Sequence, residues 1–326
     1  MGIDQYNVIG GVESMMSARF TPWHGLSDMK VRVDQRITSA TEALTLGGID
    51  WQVEERLLSD ILPNPLADEH KLRIRTTDGA ILGVGSPRYG LIQNDEMGRL
   101  ADAIIQHRPD AHIESCGALF HGKTVWMLVR LDDEVKAYHN NAETQYRYLL
   151  VYTSHDSSRP FAVRFTNVRV ECMNTMSMAV GKASELVHTV RHTSNASQLL
   201  AEAGLAVKAA VQTFDLLDLE IEQLLATPMN RATTYSTFRN VLGECPDEGR
   251  GKTMWESRWD GIVSEWQADH NANIANTAWG AVMAVNGWEL WGQTARGQTK
   301  QEKQFRHLLD GKYPLTERAL TLVSAS

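Results

Sequence analysis

"YRYLLVYTSHDSSRPFAVRFTNVRV", Tyr146 to Val170, is the stretch on which the fold turns. Two runs rich in Val, Tyr, Phe and Thr flank a polar segment from His155 to Pro160, the composition of two strands joined by a turn. Two further hairpins precede it. "KLRIRTTDGAILGVGS" (71–86) alternates apolar and polar residues around Asp78-Gly79, and "HIESCGALFHGKTVWMLVRL" (112–131) folds back at His121-Gly122, both tight-turn sequences. Between them "YGLIQNDEMGRLADAIIQH" reads as a loop entering an amphipathic helix capped by Asn94. Three hairpins and one helix predict an α+β unit built on a mostly antiparallel sheet.

Working outward, Val163 and Phe165 share one strand face while Val168, Val170 and Cys172 have the opposite parity. A bulge or bend near Thr166-Asn167 would reconcile them. Asn174 then reads as the cap of a helix over 175–190, with Cys172 packed beneath it as a small buried hydrophobe and Met173, Met176 and Met178 as core contacts. "ASQLLAEAGLAVKAAVQTFDLLDLEIEQLLA" (196–226) is a long amphipathic helix with no Gly or Pro after Gly204. Further helices are expected over 231–243, 253–268, 272–291 and 298–310. Upstream, "TSATEALTLGG" is a short helix ended by Gly47-Gly48, and residues 1–38 show little periodicity. The predicted organisation is an N-terminal arm over 1–38, an α+β core domain over 39–193 and an all-helical C-terminal domain over 194–326.

Composition narrows the function classes. The chain has 326 residues, is 43% hydrophobic and carries a formal net charge of −8, so a generic basic coat for nucleic acid is excluded and any such binding needs a local patch. Arg159 to His192 supplies the basic segment, with Arg159, Arg164, Arg169, Lys182 and Arg191 against Glu171 and Glu185. The three cysteines, at 116, 172 and 245, form no C-x-x-C pair, which argues against a disulfide framework and fits a reducing compartment. No run of eighteen apolar residues occurs, and the N-terminal apolar run is too short for a signal peptide. The expectation is a cytoplasmic protein with no membrane partner.

Several motifs invite chemistry. "GALFHGKT" (117–124) matches G-x-x-x-x-G-K-T, but a phosphate loop must open a helix and here it runs into the strand-like "TVWMLVRL". A hairpin turn is the expected reading. "EGRGKT" (248–253) lacks the first glycine because position 246 is proline. His188 and His192, four apart on the predicted helix, could share a face and hold a metal, with His155 and Asp156 nearby; "HTVRH" has no glutamate of a zinc-protease helix, and two ligands do not make a site. Cys172 at a helix start could have a lowered thiol pKa, yet its apolar parity favours packing. "SHDSSRP" carries His155, Asp156, Ser157, Ser158 and Arg159, a polar turn suited to binding phosphate or backbone rather than a triad. Trp266, Trp279, Trp288 and Trp291 on the C-terminal helices read as core.

Taken in order, "PWHGL" (22–26), "GGIDWQVE" (47–54), "LGVGSPRYGLIQN" (82–94), "GALFHGKTVWMLVRL" (117–131), "YLLVYTSHDSS" (148–158), "VRVECMNTM" (168–176) and "VRHT" (190–193) resemble the phage/plasmid-like protein family of unknown function, domain of unknown function 932. "NTAWGAVMAVNGW" (276–288) is similar to a C-terminal helix of that family. The family's usual His-Asp-Gly-Ser turn is His155-Asp156-Ser157-Ser158 here, which removes a glycine's backbone freedom. The resemblance implies a phage, prophage or plasmid origin in a bacterial host and brings no established activity.

The leading expectation is single-stranded DNA binding or annealing in phage recombination or replication, by a homo-oligomer. Arg159, Arg164, Arg169 and Lys182 would neutralise phosphates, and Tyr148, Tyr152 and Trp126 would stack bases. No catalytic residue and no cofactor is assigned. The alternatives are a metal- or nucleotide-dependent enzyme using the His155-Asp156 loop with His188 and His192, and a non-enzymatic protein that modulates a host or phage partner.

Overall fold

A computed structural model describes residues 12–18, 31–33, 35–62, 64, 67, 69–85, 90–131, 136–169, 175–176, 187–189, 196–292, 303, 307, 309–310 and 312–324. The chain forms two compact units. The first comprises residues 1–133, 148–165 and 187–211, the second residues 134–147, 166–186 and 212–326. The architecture is α+β, and from Ala196 onward every described element is helical.

The large sheet is built on strands β6 (His112–Leu119), β7 (Thr124–Arg130) and β9 (Glu143–Ser154). They pair antiparallel in the registers Leu119↔Thr124 and Thr124↔Ser154. Every residue of β6 and β7 is buried, so these strands are enclosed on both faces and read as near-continuous apolar runs. The hairpin between them turns at His121 and Gly122, both with positive φ (61° and 83°), the twist-compatible turn that suits a right-twisted strand pair. Gly117 and Thr124 lie in strands and no helix follows the loop, which removes the phosphate-loop reading of "GALFHGKT".

Residues of the N-terminal segment join this sheet. β1 (Val12–Ala18) pairs antiparallel with β6, and β2 (Val31–Val33) pairs parallel with β1. Met15, Met16 and Ser17 in succession are buried, so the strand carries no alternation for sequence reading to find. A separate three-stranded sheet holds β3 (Val53–Leu57), β4 (Lys71–Arg75) and β5 (Ile81–Gly85) in that order; its second and third strands are the expected Asp78-Gly79 hairpin. Helices α1 (Ala40–Leu46) and α2 (Asn94–His107) pack on each other and on the large sheet.

β10 (Ala162–Arg169) lies beside β9, and residues 161–168 are all buried. Both side-chain parities are therefore inside, and the parity change at Thr166-Asn167 needs no bulge to explain it. β10 pairs through Ala162–Arg164 with β12 (Val187–Thr189) and through Asn167 and Val168 with β11 (Thr175–Met176). The expected helix over 175–190 is thus strand at both ends, because the edge of β10 offers backbone partners to Thr- and Val-containing segments and pairing overrides local propensity. Asn174, Cys172, Met173 and Met178 lie outside the described residues, as does the "VRHT" segment.

The second unit is organised around α6 (Ala278–Trp291), in which every residue from Ala278 to Gly287 is buried. A helix apolar all round must be a core helix. Against it stand Leu217, Ile221 and Leu225 from α3 (Ala196–Ala226), Phe238 and Val241 from α4 (Arg231–Leu242) and Ile262 from α5 (Gly249–Trp266). The last helix, α7 (Pro314–Ser324), adds Ala319 and Val323. Trp279 is fully enclosed and Trp266 nearly so, the core role expected of them. Glu289 of α6 accepts from the backbone N–H groups of Leu315 and Thr316, supplying a carboxylate cap to the start of α7. The strand segment of this unit, β8 (Lys136–Tyr138) paired with the first residues of β9, is tied to α3 by Asp218, which accepts from Tyr138 Oη and from Arg147.

Candidate nucleic-acid interface

The polar loop after β9 sits on a buried latch. Arg73 of β4 is 1% exposed. Its Nη1 donates to the carbonyl of His155 (3.0 Å) and to Ser157 Oγ (3.0 Å), and its Nε to Glu55 of β3 (3.3 Å). A guanidinium buried this deeply survives because its donors are spent on fixed acceptors. Gly83 and Gly85 of β5 leave the room: a Cβ on Gly83 would come within 2.6 Å of the Asp156 backbone.

His155 is buried beneath the loop. Its Nε2 lies 2.9 Å from Asn94 Oδ1, while Asn94 Nδ2 donates to the carbonyls of Ile49 and Trp51. With the amide nitrogen committed, Oδ1 must accept, so His155 carries its proton on Nε2 and presents Nδ1 as an acceptor that has no partner. Burial first, then the charge of Arg73, pushes the imidazole pKa down to about 3, with Asp156 opposing and Arg75 adding to the fall. The neutral ring stands 5.3 Å from Trp51, which in turn carries Arg75 over its face. Asn94 therefore belongs to the latch rather than to the helix cap; the capping box on α2 is made one residue earlier, by Gln93 and Glu96.

Ser157 adopts φ of 63°, the left-handed region that favours glycine, at the position where the resembled family has one. Its hydroxyl bond to Arg73 offsets the strain. Replacing Ser157 by glycine relieves about 1 kcal/mol of strain and loses a bond of similar worth, so urea unfolding should shift by less than about 0.5 kcal/mol. Ser157→Ala keeps the strain and loses the bond, and should cost about 1–2 kcal/mol in the same assay.

Above the latch the two hairpin loops meet. The His155 N–H donates to the Lys123 carbonyl (2.7 Å), and Ser154 Oγ exchanges hydrogen bonds with both backbone groups of Arg159 (2.8 and 2.9 Å). This holds the Arg159 guanidinium 5.7 Å over the Phe120 ring, a cation–π contact. Phe120 and His121 both have φ near 60°, consecutive non-glycine residues in a region they rarely visit, and such strain concentrates at functional loops. Among the described residues neither His121 nor Lys123 has a carboxylate within 4.0 Å. The tip thus gathers Phe120, His121, Lys123 and Arg159.

Other sequence candidates are placed elsewhere. Trp126, Tyr148 and Tyr152 are at most 2% exposed and Arg164 is 7% exposed, so this conformation gives them no face for bases. The cause is two-sided burial of the central strands; Tyr148 Oη donates to Glu114, which also faces Arg130. Arg169 lies at the end of β10, and Lys182 is outside the described residues. His188 is on strand β12, not a helix, which removes its i,i+4 relation to His192, itself outside the described residues. Among the described residues no group of three His, Cys, Asp or Glu could hold a metal ion. Cys116 is buried, its thiol pKa raised by desolvation. No described helix is long and apolar enough to cross a membrane.

An α+β protein whose polar loop is latched by a buried arginine, followed by a helical region, is the class that fold and site define. A family model described as domain of unknown function (DUF932) matches residues 81–309, and the chain belongs to that family. No curated protein and no solved structure matches it.

Proposed function

We propose that the protein binds single-stranded nucleic acid at the loop tip of its first unit. The observation that carries this reading is the Arg159 guanidinium held over Phe120 beside Lys123, since cations interleaved with an aromatic ring are what an unpaired strand requires. Of the basic residues expected from the sequence, this reading retains Arg159, and it puts Phe120 in place of the enclosed aromatics as the ring offered to a base. The latch below, with neutral His155 and Arg73, supports the loop. Annealing in phage recombination or replication, by a homo-oligomer, is the extension of this reading that a strand-annealing assay checks.

With two to three phosphates neutralised at the tip, log affinity for a labelled single-stranded 30-mer should fall with log salt at a slope of about −1.4 to −2. Lys123→Ala with Arg159→Ala should weaken binding at low salt by about tenfold or more and flatten that slope, with the melting temperature unchanged. Equal affinity in the double variant overturns the assignment.

A further inference from the structure

The second unit carries a cleft of about 550 Å³ whose walls come from α4, α5, α7 and the loop joining α4 to α5. Arg239 of α4 and Arg318 of α7 line it, with Leu322 one turn beyond Arg318 on the same helix. Both arginines are exposed. Glu244 also lines the cleft, yet among the described residues no carboxylate lies within 4.0 Å of either guanidinium. Two guanidinium groups that line one cavity and are held in no ion pair among the described residues leave their charge-assisted donors open to an anion.

The aromatic wall is rigid. Trp255 Nε1 donates to the Gly243 carbonyl (2.9 Å), a contact reached because Gly243 ends α4 with φ of 78°. The Trp255 ring lies parallel to Trp259, with centroids 5.6 Å apart and planes 6° apart. Arg239 caps the far ring at 5.3 Å. The indole is therefore oriented in advance, with little side-chain entropy left to lose on binding.

From this pairing of an ordered indole with two guanidinium groups that no described carboxylate contacts we infer that the cleft binds a nucleoside monophosphate unit. The base packs on Trp255 and Leu322, and the phosphate is taken by Arg239 and Arg318. The volume suits one nucleotide, not a duplex. The cleft's residues belong wholly to the second unit, whereas those of the loop tip belong to the first. The same unit is presented by a free mononucleotide and by the 5′-phosphorylated end of a strand, so the test includes both.

Binding of 5′-AMP, adenosine, inorganic phosphate and two dinucleotides, one 5′-phosphorylated and one not, would be measured by calorimetry on the full chain. The expected result is saturable 5′-AMP binding, with adenosine and phosphate each at least about tenfold weaker, because each removes one half of the recognition. Arg239→Ala with Arg318→Ala should cost a further tenfold or more at unchanged circular dichroism. A preference for the phosphorylated dinucleotide over 5′-AMP assigns the site to strand ends, and the reverse assigns it to free nucleotides. Cys245, exposed on the cleft lining, supplies a readout without mutation: 5′-AMP should slow its alkylation, followed on its own peptide by mass spectrometry. No heat and no protection up to about 5 mM 5′-AMP, or full affinity in a folded double variant, overturns the inference.

Discussion

Arg73→Met should lower the stability of the protein by about 3 kcal/mol, the largest loss expected from a single side chain in the latch. Methionine fills similar space, so the cost is not a cavity. It arises because the buried His155 carbonyl loses its donor, at a cost of about 1–3 kcal/mol for a buried acceptor without a partner, and because the exposed Ser157 hydroxyl loses a bond to a charged group. Glu55 is less affected, since Lys71 still donates to its other oxygen at 2.8 Å. Arg73→Lys should recover little of the loss, because one ammonium cannot reach three acceptors arranged for a planar fork. A melting temperature within about 2 °C of the parent for Arg73→Met would mean that the loop is held by something other than this arginine.

Acid should destabilise the fold through His155. The folded imidazole titrates at about 3 against an ordinary value of 6.5, so between those values the unfolded chain binds a proton that the folded chain refuses. Stability from this residue is full above about pH 6.5, falls as pH drops through that window and levels out below about 3. At about 1.4 kcal/mol per unit the total approaches 5 kcal/mol, set first by burial and then by the charges of Arg73 and Arg75, with Asp156 opposing. Melting temperatures from pH 7 to pH 4 would show the fall. His155→Gln should flatten that profile even if it lowers the plateau, and a profile as steep as the parent's would assign the acid sensitivity to carboxylates instead.

The hairpins were legible because their signals are local. Asp78-Gly79 and His121-Gly122 sit between runs of strand-forming residues, and turn chemistry of that kind does not depend on what packs nearby. Likewise the 31 residues of α3 coincide with the uninterrupted amphipathic stretch. What escaped was set by partners distant in sequence. β1 has buried residues in succession, and Thr175–Met176 and Val187–Thr189 became strands because β10 offered them edges. A signal for the enclosed aromatics was present: "TVWMLVRL" is apolar on both parities, which marks a strand covered on both sides. Trp126 in such a run is a core residue before it is a stacking platform.

In the loop after β9, the sequence singled out the polar residues but not which of them are buried. His155 and Arg159 are four residues apart, yet one is sealed beneath the loop and the other rides above it over Phe120. Nothing in "SHDSSRP" separates them, since the difference comes from Asn94 and Arg73, more than sixty residues upstream. The cleft of the second unit was equally invisible, because Arg239, Trp255 and Arg318 come from three helices.

The most direct test is fluorescence anisotropy of a labelled single-stranded 30-mer with the parent protein and with Lys123→Ala/Arg159→Ala, repeated across a salt series. Single-strand binding that weakens with salt in the parent and is reduced about tenfold with a flatter slope in the variant is the predicted result. No binding by the parent at low salt, or identical curves for the two proteins, would contradict it.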